Sequence, residues 1–296
     1  MFADLVPGIV AALGFGASNV FGKIAFGAGA DVLTLITFRG LVGIAFVWAW
    51  IRFSPPPKPH SAQARAVAFG LGLLFAANVY CIFKAIEIVP VPVAVLAYFV
   101  YPLLTGIGGA ITGLDRLSWR GAAAALAAFG GLALMIGAQP GGVAFAGLAF
   151  AFTAAACRTA MLLITRARLE GADARLTSGY SLASSTLVLA AICLATQTWN
   201  FPQTAAGWGG FLGTSVATTL AVVALFASTA RIGPFRTALT MNLEPVVSTI
   251  LSMALLGESL GPLQWLGAAI MIAALCAFQT LKGPGSNLTS ATRRQV

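Results

Sequence analysis

The chain has 296 residues, 59% of them hydrophobic and only 8% charged, at a mean hydropathy of +0.92. A soluble domain carries about a quarter charged residues, so this chain cannot cover its surface with polar groups, and most of that surface faces lipid. The formal net charge of +9 is no sign of nucleic-acid binding, because the basic residues fall between apolar runs, where they act as topology signals.

A membrane-spanning helix needs roughly 20 apolar residues at about 1.5 Å of rise each. Ten segments satisfy this: 5–27, 31–53, 65–87, 92–113, 119–138, 143–165, 177–197, 207–230, 234–256 and 262–281. The first has no Lys or Arg ahead of it and is longer than a signal-peptide core, so it is read as a retained span. Breakers mark the joints, as at Ser54-Pro55-Pro56-Pro57, Gln139-Pro140-Gly141-Gly142 and Gly233-Pro234. The tail after Lys282 is polar and expected to be disordered. The fold class is therefore an all-α polytopic membrane protein of ten transmembrane helices.

Ten spans put both termini on one side. With the N-terminus inside, the inner loops and tail hold 13 of the 17 basic residues, from Arg52, Lys58 and Arg65 through to Arg293 and Arg294. The outer side holds only Lys23 and Lys84 near span ends, while Arg39 and Arg158 lie within spans. By the positive-inside rule both termini are cytoplasmic.

The stretch Arg231–Gly261 has an echo at Glu87–Gly121. Each carries a proline about ten residues into an apolar run. Each then has a short polar corner (Gly257-Glu258; Gly113-Leu114-Asp115) and a new run opening with an aromatic and a glycine (Trp265, Gly267; Trp119, Gly121). The chain reads as a duplication: residues 1–139, residues 140–282 and a tail of 283–296. Five spans per copy is odd, so the second copy inserts inverted. Inverted repeats place a substrate site near the midplane between the halves, with alternating access around it.

Several chemistries are excluded. Cys81, Cys157, Cys193 and Cys276 all sit in apolar runs without a CxxC pair, and His60 is the single histidine. No disulfide framework, metal site or cofactor is expected. No GxxxxGK[ST] sequence is present for ATP. No intramembrane His or Asp pair is present for an intramembrane enzyme.

The polar residues inside spans are the candidates for a site. Glu244 lies mid-span just before Pro245, where a charge is costly. It can bind a substrate amine or a coupling proton, or it can lock helices together by hydrogen bonds; both readings stand. Arg158 is as deep, and can hold a substrate carboxylate through a two-pronged contact. Its alternative is an ion pair with Glu244. For Arg39 an ion pair with Asp31 or Glu244 is favoured. Span four sets Tyr98, Tyr101 and Thr105 on one helical face, and span three adds Asn78, Tyr80 and Phe83. Such faces can line a cavity and stack on aromatic or cationic ligands; the alternative is an interfacial aromatic belt, which fits the deep Tyr98 and Tyr101 poorly. Span one offers Asn19, with Lys23 expected to snorkel outward and a stripe Gly14, Ser18, Gly22 expected to pack helices. Asn242, Thr240 and Ser248 surround Glu244 on span nine. The span-eight hydroxyls Thr214, Ser215, Thr218 and Thr219 are expected to bond their own backbone. Pro102 and Pro245, one per half, are read as hinges or as static kinks.

The second half resembles the EamA-type repeat of the drug/metabolite transporter superfamily. The resemblance is carried by Ala238-Leu239, Leu243-Glu244-Pro245-Val246, Leu256-Gly257-Glu258 and Trp265-Leu266-Gly267. The first half matches through Phe38-Arg39-Gly40, Ala85-Ile86, Val93-Ala94 and Tyr101-Pro102-Leu103, departing where Tyr101 stands for Glu244. Within the superfamily the chain looks most similar to the YddG-type aromatic amino-acid exporters of the bacterial inner membrane. The chain is expected to sit in the lipid bilayer as a monomer, and the resemblance implies a ten-helix, basket-like inverted-repeat fold. It implies export of amino acids, with an aromatic preference, by alternating access. Export of other small metabolites or drugs is the alternative, and a passive channel is also left open. On the residues alone, Asn19, Asn78, Tyr80, Tyr98, Tyr101, Arg158, Asn242 and Glu244 are the expected substrate-binding set.

Overall fold

The computed structural model describes residues 2–113, 118–137, 144–169 and 171–281. Leu114 and Asp115 of the first corner, the Gln139–Gly142 joint and the tail after Leu281 lie outside them. The described residues form eleven helices: α1 (Phe2–Gly27), α2 (Val32–Phe53), α3 (Ala62–Ile88), α4 (Val91–Tyr98), α5 (Tyr101–Ile111), α6 (Trp119–Gly137), α7 (Phe145–Arg168), α8 (Ala174–Thr196), α9 (Ala205–Met241), α10 (Leu243–Leu256) and α11 (Pro262–Leu281). Helices α4 and α5 together make one span, Val91–Ile111, so ten spans result. Eight are long and apolar enough to cross a membrane, and Leu243–Leu256 and Pro262–Phe278 are shorter apolar helices.

Local chemistry sets the boundaries. Asp31 caps α2 by accepting from the Thr34 N–H at 2.9 Å. Asp173 caps α8 by accepting from the Arg175 N–H at 2.9 Å. These helices correspond in the two halves, so one cap recurs on the second span of each repeat. Gly257 ends α10 in the left-handed region at φ 67°, where glycine carries no Cβ penalty.

The helical backbone is interrupted ahead of two of the span-interior prolines, Pro102 and Pro245, but runs unbroken past Pro7 in α1. The first break is at Phe99–Val100, ahead of Pro102, and the second at Asn242, ahead of Pro245. The second lies inside predicted span nine. At Gly233-Pro234, where a joint is predicted, helical backbone instead continues from Ala205 to Met241. That helix nevertheless doubles back. Ser228 and Thr237 share a 2.9 Å hydroxyl contact, whereas nine residues of straight helix would set them roughly 13 Å apart.

The packing is crossed between repeats. Helix α1 packs on α9, α3 on α7 and α6 on α11. At the last contact a Cβ on Gly131 would lie 2.6 Å from the Gly267 carbonyl, and one on Gly267 2.5 Å from the Gly131 carbonyl. Small residues let two backbones approach this closely. The stripe on α1 behaves likewise. Gly14 faces Ala217 and Ala221, Gly22 faces Phe83, and Ser18 exchanges a 2.7 Å hydroxyl contact with Thr218.

Candidate functional site

Between the repeats lies a cavity of about 500 Å³, within the roughly 300–1,000 Å³ range of small-molecule sites. It draws its walls from α1, α2, α3, the α4–α5 break, α7, α8, α9 and the start of α10. Among the described residues, the charged ones on its wall are Arg39, Arg158 and Glu244.

Glu244 sits in the first turn of α10, where a carboxylate suits the exposed N–H groups of a helix start. Its Oε1 accepts from Asn19 Nδ2 at 3.2 Å. The Asn19 amide also donates to Ser248 Oγ at 3.3 Å. Asn19 and Glu244 therefore line the cavity as one unit made by both repeats.

Arg158 lines the same cavity from α7. Its guanidinium carbon is 5.8 Å from the Tyr101 ring centroid, in cation–π range. Its Nε is buried and has no hydrogen-bond partner. A buried charged donor left unmatched is costly. Arg39 lies 5.1 Å over the Phe83 ring. The expected ion pairs do not form among the described residues. Asp31 caps Thr34 and accepts from the Asn200 N–H at 2.9 Å instead of meeting Arg39. Glu244 pairs with Asn19 rather than with either arginine.

Tyr98 and Tyr101 flank the α4–α5 break with ring centroids 5.2 Å apart. Tyr98 lines the same cavity as Arg158, Glu244 and Arg39. Thr105, predicted to share this face, is not on the cavity wall. Its hydroxyl donates to the Tyr101 carbonyl at 2.7 Å, and that carbonyl also accepts from Thr159 at 3.2 Å. Asn78 lines the cavity while its amide donates to the Ala154 carbonyl at 2.7 Å.

Six of the eight expected residues thus meet at one cavity: Asn19, Asn78, Tyr98, Tyr101, Arg158 and Glu244. Two do not. Tyr80 faces away and sets its ring edge-on to Phe150 at 6.2 Å. Asn242 is buried at the α9–α10 break with its amide 3.5 Å from the Cys276 sulfur. Helix α8 contributes a hydroxyl wall that the sequence reading passes over: Thr177, Ser178, Ser181, Ser185 and Thr186. Their spacing of one, three, four and one residues is helical. Of the span-eight hydroxyls, Thr214 and Thr219 do bond their own helix, to Gly210 and Ser215 carbonyls.

Four free cysteines are present, and no cluster of His, Cys, Asp or Glu suited to a metal is found among the described residues.

A model of the EamA-like transporter family matches the chain twice, over residues 5–137 and 145–278. No curated protein matches it in sequence. One solved structure, described only as the crystal structure of a protein, superposes with a TM-score of 0.64 over 92% of this chain and 97% of its own. It is 18% identical, so that likeness speaks for the fold alone.

Proposed function

We propose a substrate and a direction for a chain that belongs to the EamA-like transporter family and is therefore a multi-pass membrane transporter, not an enzyme. In our reading it exports amino acids from the cytoplasm across a bacterial inner membrane, with a preference for aromatic side chains. It works by alternating access, as a monomer with both termini cytoplasmic.

The observation that carries this reading is the arrangement of Glu244, Arg158 and the two tyrosines around one cavity. A zwitterion needs an acceptor for its ammonium and a donor for its carboxylate. The Glu244 carboxylate is held by Asn19 with Oε2 still free to accept. The Arg158 guanidinium lines the same cavity, where its N–H groups can donate to a carboxylate. The Tyr98 and Tyr101 rings stand beside them, ready to stack on an aromatic side chain. The hydroxyls of α8 add neutral polar surface for solvation on the way through.

The test uses purified protein in liposomes against a panel of radiolabelled amino acids, with and without an imposed proton gradient. Movement of phenylalanine, tyrosine or tryptophan ahead of alanine and lysine is expected. Absence of movement for every amino acid would overturn the reading. Downhill flux indifferent to the gradient would mark facilitated export, and gradient-driven accumulation would mark proton coupling.

A further inference from the structure

Alternating access requires each end of the bundle to close in turn, and the end remote from the N-terminus is shut. The cavity wall runs from Asn19 and Glu244 towards Leu169, Ala172 and Thr177 at the α7–α8 corner. It includes nothing from residues 84–97 or 245–281. At the remote end the α3–α4 corner is packed solid, with Ala85, Ile86, Val89 and Val91 all buried.

Two side chains hold that corner. Lys23, at the end of α1, turns inward rather than snorkelling. Its Nζ donates to the carbonyls of Ile86 at 2.5 Å and Val89 at 2.8 Å, groups that the end of α3 leaves without helical partners. The same Nζ is 3.9 Å from the Glu258 carboxylate in the α10–α11 corner. Glu258 in turn accepts from the Val91 N–H at 2.9 Å, a donor that the start of α4 leaves free. Three segments, from both repeats, thus meet on one ammonium and one carboxylate. The side chains are only 23% and 16% exposed. An ammonium so largely withdrawn from water is stabilised by the acceptors that converge on it. Any movement that separates α1 from the α3–α4 corner removes both carbonyls together.

We propose that Lys23 and Glu258 form the latch of the remote mouth, positioning residues for the transport cycle. The latch is closed while the cavity faces the α7–α8 end and parts when the cavity turns to the other side. The proposal rests on alternating access and not on the identity of the substrate.

The test places spin labels at Ile88 and Ser259, both exposed and at the remote end, in a background lacking the four native cysteines. Distances are read by pulsed electron paramagnetic resonance in nanodiscs without substrate, so a failure of the amino-acid reading leaves the result intact. The parent should show one dominant short distance. Glu258→Gln keeps an oxygen for the Val91 N–H but loses the charge. Lys23→Met removes the carbonyl contacts. Each should raise a longer-distance population several-fold, and the double variant should add little to either single one. A monodisperse Glu258→Gln protein with the parent's distance distribution would overturn the latch, even if its melting temperature fell. If Lys23→Met does not fold, Glu258→Gln alone decides.

Discussion

Asn19 Nδ2 meets Glu244 Oε1 at 3.2 Å and so ties α1 of one repeat to the first turn of α10 in the other. The bond fixes one carboxylate oxygen and leaves its partner to the cavity. Glu244→Gln keeps an amide oxygen for Asn19 and removes the negative charge. Hydrogen bonds to charged groups are worth about 1.5–3 kcal/mol, so transport of a zwitterion should fall about 10- to 100-fold in liposomes. Parental rates from a well-folded Gln variant would remove Glu244 from substrate or proton handling.

Arg158 gives the complementary prediction. Arg158→Gln should weaken competition by free amino acids about 10- to 100-fold. Competition by their methyl esters, which lack the carboxylate, should hardly change. Arg158→Lys should recover part of the loss, since a lysine supplies charge but not the two-pronged geometry. Equal losses for acids and esters would mean that Arg158 only shapes the cavity.

The charged members of the site were legible because a charge inside an apolar run has few reasons to be there, and Arg158 and Glu244 stand out on that ground alone. Tyr98 and Tyr101 were legible from their depth and spacing. Lys23 departs from the snorkelling its position suggests because its partners are backbone carbonyls at the end of α3, created only when α1 packs beside that corner. Tyr80 and Asn242 sit within a residue or two of cavity-lining positions, Val79 and Met241, and sequence gives no phase accurate enough to separate neighbours on a helix. The hydroxyls of α8 were hidden because Ser and Thr in an apolar helix usually bond their own backbone, as Thr186 still does with the Leu182 carbonyl. Continuation of helical backbone through Gly233-Pro234 was unforeseen, since proline predicts an interruption there.

The contact between Gly131 and Gly267 makes a stability prediction with its own control. A Cβ at Gly131 would press on backbone, the Gly267 carbonyl at 2.6 Å and the Met271 nitrogen at 2.8 Å. Gly131→Ala should therefore cost about 1–3 kcal/mol by overpacking and lower the melting temperature in detergent. At Gly130 nothing lies within 4 Å, and Gly130→Ala should stabilise by about 0.5–1 kcal/mol through helix propensity. Similar melting for both variants would mean that α6 and α11 do not meet at this point.

Asp173 predicts a pH dependence outside the spans. Hydrogen bonds from the Arg175 side chain, and then from its backbone N–H, lower its pKa to about 2, against about 3.9 in an unfolded chain. The folded value lies below the unfolded one, so the charged form favours the folded state. That contribution is complete above about pH 4 and disappears as pH falls through about 2. Asp173→Asn keeps the helix cap and discards the charge. The parent should melt above the variant near neutral pH, and the gap should close between about pH 4 and pH 2. The pair is at the surface, where solvent screening keeps the effect small, so the closing of the gap decides the matter rather than its size. A gap constant over that range would show that the Asp173 charge contributes nothing to holding the α7–α8 corner.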